Sequence, residues 1–196
     1  MSIYQAHEDE FQLAQKYAPI VKAVIYGNPK FALIRPYVIH GILSRESLHG
    51  LALQPPGPTG TGDHTPRKGK LPPDGLGWGR GLMQIDYFWH PDWCAQKDDE
   101  GGLFLWQIPK HNIAKGCEIL SQSISYVMVK NQKRSLDTRI DQETILRMAI
   151  AGYNCGASGA WISYIESGNP DTRTAHGNYS VDVLDRAEFY RDKQFI

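Results

Sequence analysis

One carboxylate, Glu46, stands inside an apolar helical stripe. Ala32 to His49 reads as a helix, with Pro36 tolerable in its first turn and Gly50 a plausible stop. At about 100° per residue, Val38, Ile39, Ile42 and Leu43 share one face, and Glu46 falls near the centre of it. A carboxylate half sunk in an apolar wall keeps its proton to higher pH. The negative end of the helix dipole pushes the same way. Both conditions suit a general acid. The plainer alternative is an ion pair with Arg45 or Arg80. Two further constellations follow: Gly81-Leu82-Met83-Gln84-Ile85-Asp86 and Gly152-Tyr153-Asn154-Cys155-Gly156. On its own the second is a helix ending in a turn, and Gln84 on its own could simply satisfy backbone groups. His40, His49, His64 and His90 near Glu46 raise the question of a metal. His40 and His49 are nine residues apart and point to nearly opposite faces at about 100° per residue, and the His-x3-His spacing is missing. No metal or organic cofactor is expected.

The elements that must position these residues are mostly helical. Amphipathic segments at Glu8–Tyr17 and Pro19–Tyr26 precede the turn Gly27-Asn28-Pro29. After the Glu46 helix, residues 50–81 are rich in Gly, Pro, Thr and Asp, a length of loop that is uncommon unless functional. Pro109–Asn131 reads as a long helix with Ile113, Cys117, Leu120, Ile124 and Val127 as its core stripe. Asp141 caps the next helix, where Ile145, Met148, Ala149 and Gly152 suggest close packing at the centre. Ser158–Glu166 and Val181–Arg191 complete the set. The expectation is a mostly α domain over 1–196, with amino-terminal helices in 1–30 and a small β-ribbon in the Gly-rich segment.

Composition narrows the classes. With 196 residues, 41% of them hydrophobic, the chain can bury one core. Its formal net charge is zero and its pI about 7.0, which argues against nucleic acid as a partner. Cys94, Cys117 and Cys155 are odd in number and widely spaced, so buried free thiols are expected rather than a disulfide scaffold or a zinc ribbon. No apolar run reaches membrane-spanning length, and the polar, acidic first ten residues do not read as a leader. A leader removed earlier would look the same.

Taken in order, Ser44-Arg45-Glu46-Ser47, the Gly81–Asp86 motif and the Gly152–Gly156 motif resemble the goose-type lysozymes and the related lytic transglycosylases. His90, four residues after Asp86, and Tyr179 in Asn178-Tyr179-Ser180-Val181-Asp182-Val183 extend the resemblance, which covers roughly Ala32 to the carboxyl terminus. It implies a lysozyme-like α+β fold, with helices around a central buried helix and a β-ribbon lining a cleft. The implied partner is the peptidoglycan glycan strand, cut by a monomer at the bacterial cell wall. Glu46 would protonate the glycosidic oxygen between N-acetylmuramic acid and N-acetylglucosamine. Gln84, His90, Tyr153, Asn154 and Tyr179 would hold the sugar. Asp86 matches the inner family aspartate. The outer one has no clear match, with Asp74 the first choice and Asp63 the second. Both also read as turn residues. A water-activating aspartate implies hydrolysis, and its lack implies a 1,6-anhydro product. His49 departs from the family pattern, because Leu48 separates it from Ser47. The rivals are a domain that grips the wall without cutting it and an unrelated helical interaction domain.

Overall fold

The computed structural model describes residues 2–99 and 102–195. Helix α1 spans Glu8–Tyr26, capped by the His7 side chain and started by Glu8, Asp9 and Glu10, whose charges suit a helix amino terminus. It runs unbroken through Pro19, where two segments were expected. Tyr17, Val21, Val24 and Ile25 are buried on the core, and that packing offsets the one hydrogen bond the proline removes.

Helix α2 is Pro36–Ser47, shorter at both ends than the expected Ala32–His49. Arg35 is extended, as the residue before a proline prefers, and Pro36 opens the helix. Leu48 then turns left-handed at φ 49°, returning its N–H to Leu43 and Ser44. The apolar stripe is real: Val38, Ile39, Ile42 and Leu43 are buried. So is Gly41, where an added Cβ would lie 2.5 Å from the Val183 carbonyl. That close approach seats α2 on a later helix.

The Gly-rich segment supplies β1 (Thr61–Gly62) and β2 (Gly79–Arg80) of a three-stranded antiparallel ribbon whose third strand, β3 (Ile85–Asp86), comes from the motif just after it, in the order β1-β2-β3. Gly62 pairs with Gly79, and Gly79 with Asp86. A short helix α3, Pro91–Cys94, follows His90. Helix α4, Pro109–Gln132, buries the stripe expected of it. Asn112 of α4 accepts the Met83 N–H at 2.7 Å and donates to the Arg80 carbonyl at 2.9 Å, which fixes the ribbon to the helix.

Helix α5, Gln142–Cys155, begins at Asp141, whose carboxylate accepts the Thr144 N–H at 2.8 Å. Met148 to Gly152 is buried without a break, so this is the central helix. Ile145, expected in the core, is only partly buried because it lies one turn before that stretch. Helices α6 (Ala157–Ser167) and α7 (Tyr179–Asp192) complete the fold, and α7 supplies the Val183–Ala187 surface under Gly41. Among the described residues no helix is long and apolar enough to cross a membrane.

Candidate active site

Glu46 sits in the last turn of α2, and neither arginine weighed for it becomes its salt-bridge partner. Arg45 Nε pairs with Asp182 at 3.2 Å, and Arg80 Nη2 with Asp74 at 2.9 Å. Its close partner is instead the Tyr179 hydroxyl at the start of α7, which donates to Glu46 Oε1. Burial pushes the Glu46 carboxyl up to about 7 from an ordinary 4.5. The Tyr179 hydrogen bond and the Arg45 charge pull the other way and lose. Burial and the nearby Glu46 also hold the phenols of Tyr179 and Tyr153 well above their ordinary value, so both remain O–H donors.

A cavity of about 440 Å³ reaches Glu46 only through Tyr153, which feels its charge; neither Glu46 nor Tyr179 lines it. The cavity gathers Gln84, Asp86, Tyr153 and Asn154 from two separate motifs together with His90, and Trp89, which lies between Asp86 and His90. Tyr153 lines this cavity while feeling the charge of Glu46, and its hydroxyl donates to the Met83 carbonyl at 2.8 Å. That bond ties the end of α5 to the ribbon. Gly152 lets α5 lie close against α4, since a Cβ there would lie 2.3 Å from Ser123 Oγ. Asn154 uses its side-chain oxygen to hold the Ala175 N–H at 2.9 Å, leaving its amide free to donate.

Gln84 does both things its position allowed. Its amide donates to the Gly81 carbonyl at 2.8 Å, and it still lines the cavity. Its own φ is +48°, a left-handed turn that aims the side chain back over β1 and β2. There Gly62 and Gly79 leave it room, for a Cβ at either would lie 2.1 Å from Gln84 Oε1.

The aspartates separate cleanly. Asp86 lines the cavity, with Oδ1 accepting the Phe88 N–H at 2.7 Å and Oδ2 paired with Arg67 Nη2 at 2.7 Å. Asp74 and Asp63 are not among the residues lining it. Asp74 closes its own turn on the Leu76 N–H and holds Arg80, a fully buried guanidinium stacked near Tyr87 and Trp106. Asp63 shares Arg67 with Asp86. Arg67 was missed by sequence reasoning, and nothing local marks it in a loop with several lysines and arginines. Trp89 was missed too, although the aromatic run Tyr87-Phe88-Trp89 directly after the Gly81–Asp86 motif was a signal.

The histidines contain one correction. His40 and His49 do not point apart: His40 Nδ1 lies 3.1 Å from His49 Nε2. The helix stops at Ser47, and left-handed Leu48 and His49 fold the ring back. His49 then meets Glu10 at 3.2 Å, and Tyr190 also donates to Glu10 at 2.9 Å. This buried cluster lies outside the cavity. Cys94 and Cys117 are buried free thiols, pushed up to about 12 by burial, while Cys155 is only partly covered. A larger hollow of about 790 Å³ between Phe31, Trp93 and α4 contains no motif residue.

A profile of the family described as Lysozyme g matches residues 2–194. The chain belongs to the lysozyme g family. It is 30% identical to lysozyme g of Casuarius casuarius over 184 residues, covering 94% of this chain and 77% of that one. Lysozyme G of Dromaius novaehollandiae is also 30% identical, with 94% of this chain and 70% of the relative covered. Lysozyme g of Epinephelus coioides is 32% identical over 164 residues, 82% of this chain and 69% of its own. Membership makes the chain a glycoside hydrolase of the lysozyme class, whose substrate is peptidoglycan. In this member of the lysozyme g family, motif residues from the ribbon and α5 share one cavity, and Glu46 of α2 and Tyr179 of α7 form a hydrogen-bonded pair whose carboxyl acts on Tyr153 of its wall.

Proposed function

We propose that this lysozyme g family member cleaves the β-1,4 bond between N-acetylmuramic acid and N-acetylglucosamine, with Glu46 as the general acid and water as the acceptor. The observation that carries the reading is a Glu46 carboxyl held protonated up to about 7 and acting on Tyr153, which lines a cavity with Gln84, Asp86, His90 and Asn154. A carboxyl that titrates near neutrality can give its proton to the leaving oxygen and be refilled from solvent in each cycle. The phenol of Tyr179 steadies the carboxylate that remains. Gln84, Asn154 and His90 present amide and imidazole groups to the rims of the sugar, and Tyr153 closes the cavity wall.

Inverting hydrolysis places a base on the far face of the sugar, its carboxyl about 6.5–9.5 Å from the acid, with room for water between. Asp86 is the aspartate of this cleft and takes that part. Asp74 supports it at one remove by holding Arg80 behind the ribbon. The 50–81 segment serves as a cleft wall, joined to Asp86 through Arg67.

One observation favours a second reading, a lytic transglycosylase in which the muramoyl 6-hydroxyl attacks. Both Asp86 oxygens already have partners, Arg67 and the Phe88 N–H, which limits how freely this carboxylate can take a proton from water. Mass spectrometry of muropeptides after digestion separates the two, since hydrolysis leaves reducing ends and transglycosylation leaves 1,6-anhydro ends. Glu46→Gln should abolish loss of turbidity on purified walls yet still sediment with them. Undiminished lysis by that variant would remove Glu46 from the mechanism.

A further inference from the structure

Trp89 is 73% exposed, and Phe88 beside it is 57% exposed. Two adjacent large aromatic side chains facing water need an explanation when most of the other aromatic rings are at least partly buried. They are also held in place. The Phe88 ring meets Trp89 edge-on at 4.9 Å and 88°, and Phe88 packs on Trp78 at 6.3 Å. Trp78 is buried, donates to the Thr65 carbonyl at 3.1 Å and carries the Arg67 guanidinium 4.7 Å over its ring. The backbone of the turn is fixed as well, since His90 N–H reaches the Asp86 carbonyl at 3.1 Å. Trp89 is therefore an exposed ring on a rigid base, not a loose surface side chain.

Its surroundings indicate what it could hold. Trp89 lines the same cavity as Gln84, Asp86 and Tyr153, and the α5–α6 junction lines it through Gly156, Ser158 and Gly159. A Cβ at Gly156 would meet nothing within 4 Å, so the space there is open. Neither Glu46 nor Tyr179 lines this part of the cleft; Tyr153 connects the two regions. An indole face gives a large apolar area to the C–H face of a pyranose, while nearby amides and a serine hydroxyl serve its polar rim.

We infer that Trp89 gives the cleft a stacking face for an N-acetylhexosamine ring of the β-1,4 glycan, in the part of the cavity that Glu46 does not line. This subsite makes the enzyme favour longer strands over short fragments. The inference rests on the glycosidase reading of the Glu46 cleft.

The test uses full-length Glu46→Gln protein, with and without Trp89→Ala, titrated calorimetrically with N-acetylglucosamine oligomers of three to six units. Affinity should rise with length in the first protein, and the step contributed by the ring over Trp89 should vanish in the second. Loss of one aromatic stacking face weakens the longest oligomer roughly tenfold. Trp89→Phe should restore most of it. On cell walls, Trp89→Ala in the otherwise unaltered enzyme should raise KM by a similar factor, with the loss falling on KM rather than kcat. Identical length dependence in the two proteins, or an unchanged wall KM, overturns the subsite and leaves the glycosidase reading intact. If no oligomer binds and the unaltered enzyme leaves walls uncut, the glycosidase reading falls and takes the subsite with it.

Discussion

Replacing Glu46 with Gln should make the protein more stable at pH 8 while removing its activity. In the folded chain burial keeps the Glu46 carboxyl protonated up to about 7, against an ordinary 4.5. Below 4.5 the folded and unfolded chains both carry the proton, and the residue adds no pH-dependent cost. As pH rises from 4.5 to 7, the unfolded chain releases the proton first, so the unfolded state gains. Above 7 the cost is complete. At 1.36 kcal/mol for each pH unit of that window the upper bound is roughly 3 kcal/mol. Glu46 keeps some contact with solvent, which reduces the expectation to about 1–2 kcal/mol. For a chain of this size that corresponds to a Tm higher by about 4 °C. Scanning calorimetry reads it directly, because Gln keeps the shape and the link to Tyr179 but cannot ionise. The two proteins should melt together at pH 4 and separate at pH 8. Equal separation at both pH values, or a variant less stable at pH 8, would refute the idea that Glu46 is held protonated by burial.

Tyr179→Phe removes a hydrogen bond to a charged group, typically worth about 1.5–3 kcal/mol, so the alkaline limb of the kcat/KM profile should move up by about one pH unit or more. A limb that stays in place would mean that Tyr179 does not bond the carboxylate form. Asp86→Asn should lower the yield of reducing ends by about 10²-fold, as loss of a general base typically does, and an undiminished yield would exclude Asp86 from activating water. Burial holds His40 and His49 below their ordinary 6.5, so the stability they contribute is full above 6.5 and is lost as pH falls. Glu10, held at about 2, adds a loss of the same sign at lower pH. The urea midpoint should therefore drop between pH 7 and pH 5, and His40→Phe should flatten that drop; an equally steep variant would place the acid sensitivity elsewhere.

Local periodicity made much of this fold readable. The stripe around Glu46, the core face of α4 and the Asp141 cap each follow from residues within a few turns of one another. The site was readable for a different reason: the motifs hold its residue types together, and Gln84, Asp86, His90, Tyr153 and Asn154 do share one cavity. What stayed hidden depends on distant partners or on a single backbone turn. Arg67 reaches Asp86 across the whole ribbon, which no spacing encodes. The contact between His40 and His49 depends on Leu48 turning left-handed, and a helical wheel carried past Ser47 gives the opposite answer. Pro19 invites a break that core packing on α1 overrides.

The cross-strand pair Gly62 and Gly79 lies beneath Gln84, and each would place its Cβ 2.1 Å from that side chain. The floor of the cleft is thus specified partly by two missing side chains. In a saturation screen these positions should tolerate substitution as poorly as the residues facing the cavity, although the screen reads only activity and neither glycine lines it. The mutational target of this cleft is therefore larger than its surface, and some loss-of-function changes will lie one layer behind the groups that face the sugar.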